Sequence, residues 1–476
     1  MTLWLILAPL IGALLAFVVP SERLRPSIVA VAAVAHTALT VGVIRSGSHG
    51  SLMVEWLRLD ALGTLVLLVI STLFLVCAIY AVGYLRSRSD RPNRVFCTSL
   101  LLFLVTTTVL TMAQQLTVMW VAMEATTLST ALLLYFNQNE RSLEATWKYL
   151  MIGSLGIAFA LLGTLFIAYA TFLGFGDSNL DYPLLVHRAA GLSVPWLRAG
   201  FVFLLVGYGT KLGLAPLHTW KPDAYGEAPG VVGALLAGGM TSAALLALLR
   251  VYRIVDASGD GVFARGLFVT LGLLSIATAV VMMVGQRDLK RLLAYSSVEH
   301  VGVIAVGIGL GGVGIFGALL HMVNYAMTKG VLFLSAGNIH RGYRSKRVGE
   351  VTGALIRLPV SAGLFLAGFF AITGSPPFGP FVSELTILNA ATGQHRVAVA
   401  AIYVTLLVLV FVAMGASLMP MVEGAPPVDG EPPVLREKSL ETAPLFVALA
   451  LVLMMGIWIP APLQKLLHDA AKLLGG

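Results

Sequence analysis

Apolar runs recur along the whole chain, separated by short polar segments. An α-helix of about 20 residues spans the ~30 Å hydrocarbon core of a bilayer. The pattern predicts fourteen membrane-spanning helices, numbered 1 to 14, at residues 3–20, 27–44, 59–85, 95–112, 115–136, 146–173, 199–218, 229–249, 266–285, 292–311, 313–337, 358–389, 397–420 and 442–460. We therefore expect an all-α integral membrane protein.

Composition agrees with this pattern, since 58% of the residues are hydrophobic and only 11% are charged. The spans are evenly distributed, which predicts a single membrane domain over residues 1–476. Within it we separate residues 1–94 (helices 1 to 3), 95–254, 262–420, and 421–476 with a polar loop, the last helix and a short amphipathic tail. Many of the 49 glycines are expected at helix–helix contacts.

Lysine and arginine are unevenly divided between the two sides of the predicted membrane. The loops after odd-numbered helices hold 19 of the 31 basic residues and the opposite side holds 10. Cytoplasmic loops carry the excess of basic residues, so both termini are predicted to be periplasmic in a bacterial inner membrane. The net charge of +8 is dispersed over these loops, which argues against nucleic acid binding. The two basic residues left inside the membrane are Lys211 and Lys329.

Motifs for cofactors are missing from the sequence. Cys77 and Cys97 stand alone, without the spacing of zinc, haem or iron–sulfur ligands. The chain also has no glycine-rich dinucleotide fingerprint and no phosphate-binding loop. We predict no cofactor, no metal and no catalytic site on this chain, so any redox centres are expected on soluble partner subunits.

Two charged residues in the first half of the chain are predicted to lie near the middle of the membrane. Glu124 is in the middle of helix 5, and Lys211 is in helix 7 with Pro216 five residues later. Charged groups inside a membrane are costly and usually mark an ion path. The simpler alternatives are a carboxylate that only clamps helices and a fixed salt bridge. We favour a proton path in which the Lys211 ammonium changes protonation as its distance from Glu124 changes.

Polar residues also follow one face of helix 11, where His321, Tyr325 and Lys329 are spaced at four-residue intervals. Three proton-carrying groups in register favour a hydrated relay over single packing residues. His300 in helix 10 could join this relay. Glu384 in helix 12 is predicted to be the periplasmic exit site, with a packing role as the alternative.

Helices 7 and 12 are both predicted to be broken. Pro216 interrupts helix 7, and Pro376 and Pro377 interrupt helix 12. The two helices are five spans apart and therefore run in opposite directions. This is typical of inverted repeats, here helices 4 to 8 and helices 9 to 13, with one half-channel in each repeat.

These segments resemble the antiporter-like subunits of complex I, Mrp-type cation antiporters and energy-converting hydrogenases over helices 3 to 13. The resemblance is carried by WVAMEATTL, KLGLAPLHTWKPDAYGEAP, QRDLKRLLAYSSVEHVG, HMVNYAMTKGVLFLSAGNI and FVSEL. The details LEATWKYL and SPPFGPFVSEL are most similar to component F of hydrogenase-4-type complexes. The resemblance implies that Glu124 pairs with Lys211, that Lys329 and nearby histidines form the central connection, and that Glu384 is the terminal site.

The chain departs from this family pattern at three positions. Some relatives carry a lysine in helix 8 where this chain has Ser242, a histidine where it has Tyr325, and a histidine where it has Tyr225. Without the helix 8 lysine, Lys211 is expected to couple to Lys329 through water and His300 or His321.

The resemblance implies a proton-translocating subunit of a redox-driven membrane complex of the hydrogenase-4, formate hydrogenlyase or complex I kind. Its partners would be other membrane subunits, soluble redox subunits and the lipid bilayer. Two alternatives remain open: a cation/proton antiporter without a redox partner, in which sodium could replace protons, and a proton-coupled membrane subunit of an inorganic carbon uptake complex with a soluble zinc protein. A purely structural scaffold is disfavoured, since it would not require four buried charges.

Overall fold

The structure is a computed structural model that describes residues 2–46, 56–88, 90–425 and 437–476. Within these ranges the chain is helical, with three isolated β-bridges and no strand. Helices 1 to 6 are Thr2–Val18, Arg25–Ser46, Ala61–Arg86, Arg94–Met112, Leu116–Leu134 and Glu140–Phe175. Helix 7 consists of helix 7a, Val194–Leu212, and helix 7b, Trp220–Glu227; helix 8 consists of Gly230–Ala234, the π-helical Leu235–Met240 and Thr241–Val255. Helices 9 to 11 are Gly261–Met283, Leu289–Leu310 and Val313–Tyr343; helix 12 consists of helix 12a, Pro359–Ile372, and helix 12b, Gly379–Gly393; helices 13 and 14 are Val397–Glu423 and Ser439–Ile457.

The described chain thus has the fourteen predicted helices, although only nine helical segments in it are both long and apolar enough to cross a membrane. One of the nine, Gly230–Met283, contains helices 8 and 9, which separate at Gly259 (φ 88°). Helix 1 is short, helices 7 and 12 are interrupted, and helix 11 carries a polar stripe that lowers its mean hydropathy. The predicted fold class is confirmed.

Helix ends differ from the predicted spans where polar residues continue a helix beyond its apolar part. Helix 6 begins at Glu140, because the Asn139 side chain accepts from the Ser142 amide and caps the first turn. Helix 11 continues to Tyr343 through His340 and Arg341. Hydropathy finds the apolar part of a helix, while caps decide where it ends.

Both predicted helix interruptions are present. Helix 7a ends at Leu212 and is capped by Gly213, whose φ of +78° is a left-handed conformation that favours glycine, and Pro216 lies in the gap before helix 7b. Helix 12a ends at Ile372, and Pro376 and Pro377 lie in the gap before helix 12b. At the first gap the buried Lys221 side chain binds the free Leu212 carbonyl, whereas residues 373–378 of the second gap are partly or fully exposed.

Close helix pairs in the two repeats are joined through glycines. Gly163 on helix 6 and Gly200 on helix 7a each lie against the other's backbone carbonyl, and Gly272 and Gly302 do the same for helices 9 and 10. A side chain at any of these positions would collide with backbone, so glycine permits the close approach. Helices 8, 10 and 11 lie at the centre and are almost entirely buried.

The amphipathic tail forms the helix Ala461–Leu473, which packs against helices 3 and 11. Its apolar face is buried through Leu466, Leu467, Ala470 and Ala471. The tail therefore packs on the bundle through its apolar face. Of the predicted polar loop at 423–439, residues 426–436 lie outside the described residues.

Candidate proton path

Glu124 and Lys211 are brought together by a third residue, Thr127. The Lys211 ammonium donates to Thr127 Oγ1, and the Thr127 hydroxyl lies 3.2 Å from Glu124 Oε2. Glu124 and Thr127 are neighbours on one face of helix 5, while Lys211 comes from the last turn of helix 7a. No direct ion pair joins Glu124 and Lys211 within the described chain, so the threonine hydroxyl links the two charges.

Glu124 is only half-buried, although its helix has the length and composition of a membrane span. Its other carboxylate oxygen accepts from the exposed Ser154 hydroxyl at 3.3 Å. Around it the bundle surface is apolar, with exposed Val121, Leu128, Met151 and Leu155. Glu124 thus marks the edge of the polar path on a lateral face of the subunit.

A third buried lysine, Lys221, lies at the start of helix 7b. Sequence reasoning left only Lys211 and Lys329 inside the membrane and counted Lys221 with the loops, but its side chain is fully buried in the protein. Lys221 Nζ donates to the Leu212 carbonyl at 2.6 Å and lies over the rings of Trp220 and Tyr225 at 6.0 and 5.8 Å. Since Leu212 is the last residue of helix 7a, the contact places the ammonium at the negative end of the helix dipole.

Histidines form a hydrogen-bonded series between helices 10, 11 and 12. His300 Nδ1 and His321 Nε2 are 3.0 Å apart, and His321 Nδ1 lies 2.9 Å from Ser383 Oγ. The Ser383 hydroxyl also donates to the Pro380 carbonyl at 2.9 Å. If Ser383 donates there, His321 Nδ1–H donates to Ser383 and His300 Nδ1–H donates to His321, so one tautomer satisfies the whole series. Such a series can pass a proton from ring to ring.

Glu299 is a fully buried acid that sequence reasoning did not single out. Its Oε2 lies 2.9 Å from His300 Nε2, although the two atoms are not aligned for a hydrogen bond. Glu299 also interacts electrostatically with Lys329 and with Glu384. Lys329 Nζ donates to the Leu293 carbonyl at 3.0 Å, on the same helix as Glu299 and His300.

Glu384 lies at the break in helix 12 and is 8% exposed. Its carboxylate fills the space beside Gly374, whose φ of +69° and lack of a side chain leave room for it. His300, His321 and Glu384 each offer a ligand atom, all within 4.8 Å of one another, which could hold a metal ion. However, the facing histidine nitrogens already contact each other, which suits proton transfer better than metal coordination.

Several buried polar atoms around this series have no hydrogen-bond partner in the described part of the chain. They belong to Tyr225, Ser296, Glu299, His300, Asn324 and Tyr325. Buried polar groups are nearly always satisfied, so atoms of this kind mark places for internal water. They lie on helices 7b, 10 and 11, between Lys221 and Glu384.

Ser242 lies buried on helix 8, directly after the π-helical stretch, and donates to the Gly238 carbonyl at 2.7 Å. Tyr325 lies between Lys329 and His300: Lys329 Nζ is 5.8 Å from its ring centre, and the His300 ring is 5.6 Å away. Ser242, Tyr225 and Tyr325 therefore each place a hydroxyl in the interior.

Two cavities open on the side of the odd-numbered loops. One, of about 600 Å³, is lined by residues that include Arg88, Lys290, His340 and Arg344; the second, of about 720 Å³, shares His340 and Arg344 with it. Lys290 is almost fully buried and donates to the Ala228 carbonyl at 2.8 Å. On helix 10, Lys290 lies one turn before Leu293, whose carbonyl accepts from Lys329. The first cavity thus extends to Lys290, one helical turn from the group that binds Lys329.

Residues 113–410 match the family described as NADH:quinone oxidoreductase/Mrp antiporter, TM. The chain belongs to this family. It is 36% identical over 362 residues to a Hydrogenase-4 component F homolog of Methylacidiphilum infernorum (isolate V4), covering 75% of this chain and 74% of that one. It is 32% identical over 330 residues to NADH-quinone oxidoreductase subunit N of Desulforudis audaxviator (strain MP104C), covering 69% and 65%.

A solved structure shows the same fold. A chain of the Mrp complex from Dietzia sp. DQ12-45-1b superposes with a TM-score of 0.87 at 22% identity, over 100% of this chain and 97% of that one. The family and the relation to hydrogenase-4 component F predicted from the sequence are confirmed.

The structure brings all seven predicted path residues into two clusters: Glu124 with Lys211, and His300, His321, Tyr325, Lys329 with Glu384. Lys221 and Glu299 were missed. Glu299 precedes His300 in an otherwise apolar helix, a signal available in the sequence. Lys221 follows the helix break, and only the fold shows that its side chain turns back into the interior.

Proposed function

We propose that this chain is the proton-translocating membrane subunit of a multisubunit redox-driven complex of the hydrogenase-4 kind. The observation that supports this most is a series of proton-carrying groups that runs from the partly buried Glu124 through buried lysines and histidines to the buried Glu384, with internal polar atoms left open for water. Buried ionisable groups inside a membrane are too costly to keep without a function. Membership of the family supports the same conclusion.

In the first cluster, Thr127 allows Glu124 to control the charge on Lys211. A charged Glu124 stabilises the ammonium through the shared hydroxyl, and withdrawal of that carboxylate favours release of the proton. A lysine is suited to this step because its amine can lose a proton when buried, whereas a guanidinium cannot. The first cluster therefore acts as the switch.

In the second cluster, the proton moves from Lys329 through Glu299 to His300 and His321, and Glu384 releases it. Each histidine can accept a proton on one nitrogen while it gives up the proton on the other. Glu384 beside the helix break would discharge to the periplasm. The cavity at Lys290 would supply the cytoplasmic proton that replaces the released one.

A neighbouring membrane subunit is expected to cover the lateral face at Glu124. A half-exposed carboxylate within an apolar surface is unfavourable against lipid chains, and a partner with a cation or water there would satisfy it. Movement of that partner would drive the switch. Soluble redox subunits would supply the energy.

A cation/proton antiporter is the second candidate, favoured by the likeness to the Mrp complex fold. The same residues would then exchange sodium for protons without a redox reaction. An inorganic carbon uptake subunit is a further form of this alternative, distinguished by a zinc-bearing soluble partner.

The test is proton uptake by inverted membrane vesicles that contain the native complex, followed with a pH-sensitive dye. We expect acidification when the complex is supplied with its reductant, such as H2 or formate, and no dependence on sodium. Redox turnover without acidification would contradict the proposal. Acidification or alkalinisation driven only by a sodium gradient would establish the antiporter instead.

We also propose the bacterial inner membrane, with both termini in the periplasm. Alkaline phosphatase fused after the C-terminus should be active, and the same enzyme fused at Arg344 should be inactive. The opposite result would reverse the orientation and exchange the uptake and exit sides.

A further inference from the structure

Lys221 differs from Lys211 and Lys329, the other two lysines that are 0% exposed, in having no acid beside it. Lys211 has Glu124 through Thr127, and Lys329 interacts with Glu299. The Lys221 ammonium donates to the Leu212 carbonyl and lies over the faces of Trp220 and Tyr225, with His218 as its titratable neighbour on the same segment, and it forms no ion pair with a carboxylate in the described chain. A buried cation without a counter-ion is expensive, so its presence requires an explanation.

Lys221 lies between the two clusters. On one side, Lys211 Nζ is 5.0 Å from the centre of the Tyr149 ring, which packs against Trp220 at 5.1 Å. On the other side, Lys221 is close enough to Lys329 for the two charges to interact. Tyr225, below the Lys221 ammonium, has a buried hydroxyl without a partner, which leaves a place for water next to the lysine.

We propose that Lys221 is the intermediate proton carrier between Lys211 and Lys329. This inference rests on the proposed function. The proton leaves Lys211 Nζ, resides briefly on Lys221 Nζ, and passes on to Lys329, leaving Lys221 as a neutral amine. A carrier on helix 7b thus connects the two clusters.

The surroundings of Lys221 suit a transient carrier. The Leu212 carbonyl accepts from the charged and from the neutral amine, so this contact persists in both states. The helix dipole and the two aromatic faces stabilise the charge only modestly. Repulsion from a charged Lys211 or Lys329 disfavours protons on two neighbouring lysines at once, so protons pass one at a time.

The rival explanation is that Lys221 only caps helix 7a. In that case any donor at this position would serve, and the titration of the group would not matter. The Lys221 methylenes also fill the space beside Gly213, which has no room for a side chain. The experiment therefore needs a variant that keeps this packing and removes only the amine.

The experiment uses the native complex in inverted vesicles and three variants of this chain. Lys221→Met keeps the length of the side chain and removes the proton. Lys221→Arg keeps the charge and the donor to Leu212 but cannot release a proton. The third variant combines Lys221→Met with Ser242→Lys, which returns a titratable amine on helix 8. Subunit content on a gel and redox turnover confirm assembly of each.

We expect about a tenfold or larger loss of proton uptake in both single variants and recovery of roughly a third of it in the double variant. Normal uptake by Lys221→Met would overturn the inference. It would also be overturned if Lys221→Arg pumps normally while the assembled double variant does not recover, since this is the result expected of a cap. If the wild-type complex itself moves no protons, the proposed function fails, and that result is distinct from a failure of Lys221 alone.

Discussion

The two buried clusters use different chemistry to hold a proton. In the first, a single hydroxyl, Thr127, links an acid at the edge of the subunit to a lysine at a helix break. In the second, two histidines and Ser383 form a continuous series in the interior, with unpartnered polar atoms around it. The first is compact and reaches the lateral face, while the second is longer and fully enclosed.

This difference indicates a division of labour between two repeats of one fold. A pair of charges joined by one hydroxyl responds sharply to a change at the surface, because any displacement alters the only link. A series of rings and water sites conducts in either direction and tolerates small displacements. Substitutions should therefore separate switching in the first cluster from conduction in the second.

The largest effect is expected from Lys211→Arg. The guanidinium keeps the charge beside Glu124 but does not release its proton, so uptake in vesicles should fall about tenfold or more. Lys148→Arg is a matched control on the surface of the odd-numbered loops, where Lys148 pairs with Glu144 and Asp223, and should pump normally. Normal pumping by an assembled Lys211→Arg complex would make the first cluster a fixed salt bridge.

Glu384→Gln should have a nearly equal effect on the second cluster. It keeps the size of the side chain beside Gly374 while removing titration, so proton release should stop, and Glu384→Asp should retain part of it. The exposed Glu350 provides the control, as Glu350→Gln should not alter uptake. Should the Glu384→Gln complex pump at the wild-type rate, Glu384 is a packing residue.

Thr127→Val should weaken the switch without removing either charge. The change leaves Lys211 without its acceptor, so we expect a several-fold loss of uptake and a loss of about 1–2 kcal/mol in stability. Thr127→Ser restores the hydroxyl and should recover uptake. Equal uptake by the valine and serine variants would show that Glu124 and Lys211 communicate by another route.

Ser383→Ala should have the smallest effect of the four. It removes the hydroxyl beside His321 Nδ1, but water can take its place among the unpartnered atoms, so uptake should fall only about two- to threefold. Ser335→Ala, in which a buried serine bonded only to its own helix is lost, provides the comparison and should be neutral. A loss as large as that of Glu384→Gln would mean that the second cluster has no alternative route.

The repeat pattern could be predicted from the sequence because apolar spans and prolines act locally. Pro216 and the Pro376–Pro377 pair break their helices through missing amides, whatever surrounds them. Glu124, Lys211 and the polar stripe of helix 11 were identifiable for a similar reason, since a charged or polar residue within an apolar span can be recognised from the linear sequence alone.

The missed residues depend on folding in three dimensions. Lys221 follows polar and proline residues that resemble a loop, and its burial results from the chain turning back after the break so that Nζ meets Leu212. The role of Thr127 depends on helix 7a placing Lys211 against helix 5. Neither contact has a periodicity that a sequence could display.

The partial exposure of Glu124 affects how stable the chain is in the cell before it assembles. A copy that is synthesised without its neighbours carries a charged group on its lipid-facing side and is therefore incompletely satisfied until it assembles. Chaperones and proteases act on incompletely stabilised proteins in cells, so this chain should be degraded rapidly when it is expressed alone. Glu124 would then have two roles: it responds to the neighbouring subunit during the redox reaction, and before assembly it makes the stability of the chain depend on that subunit.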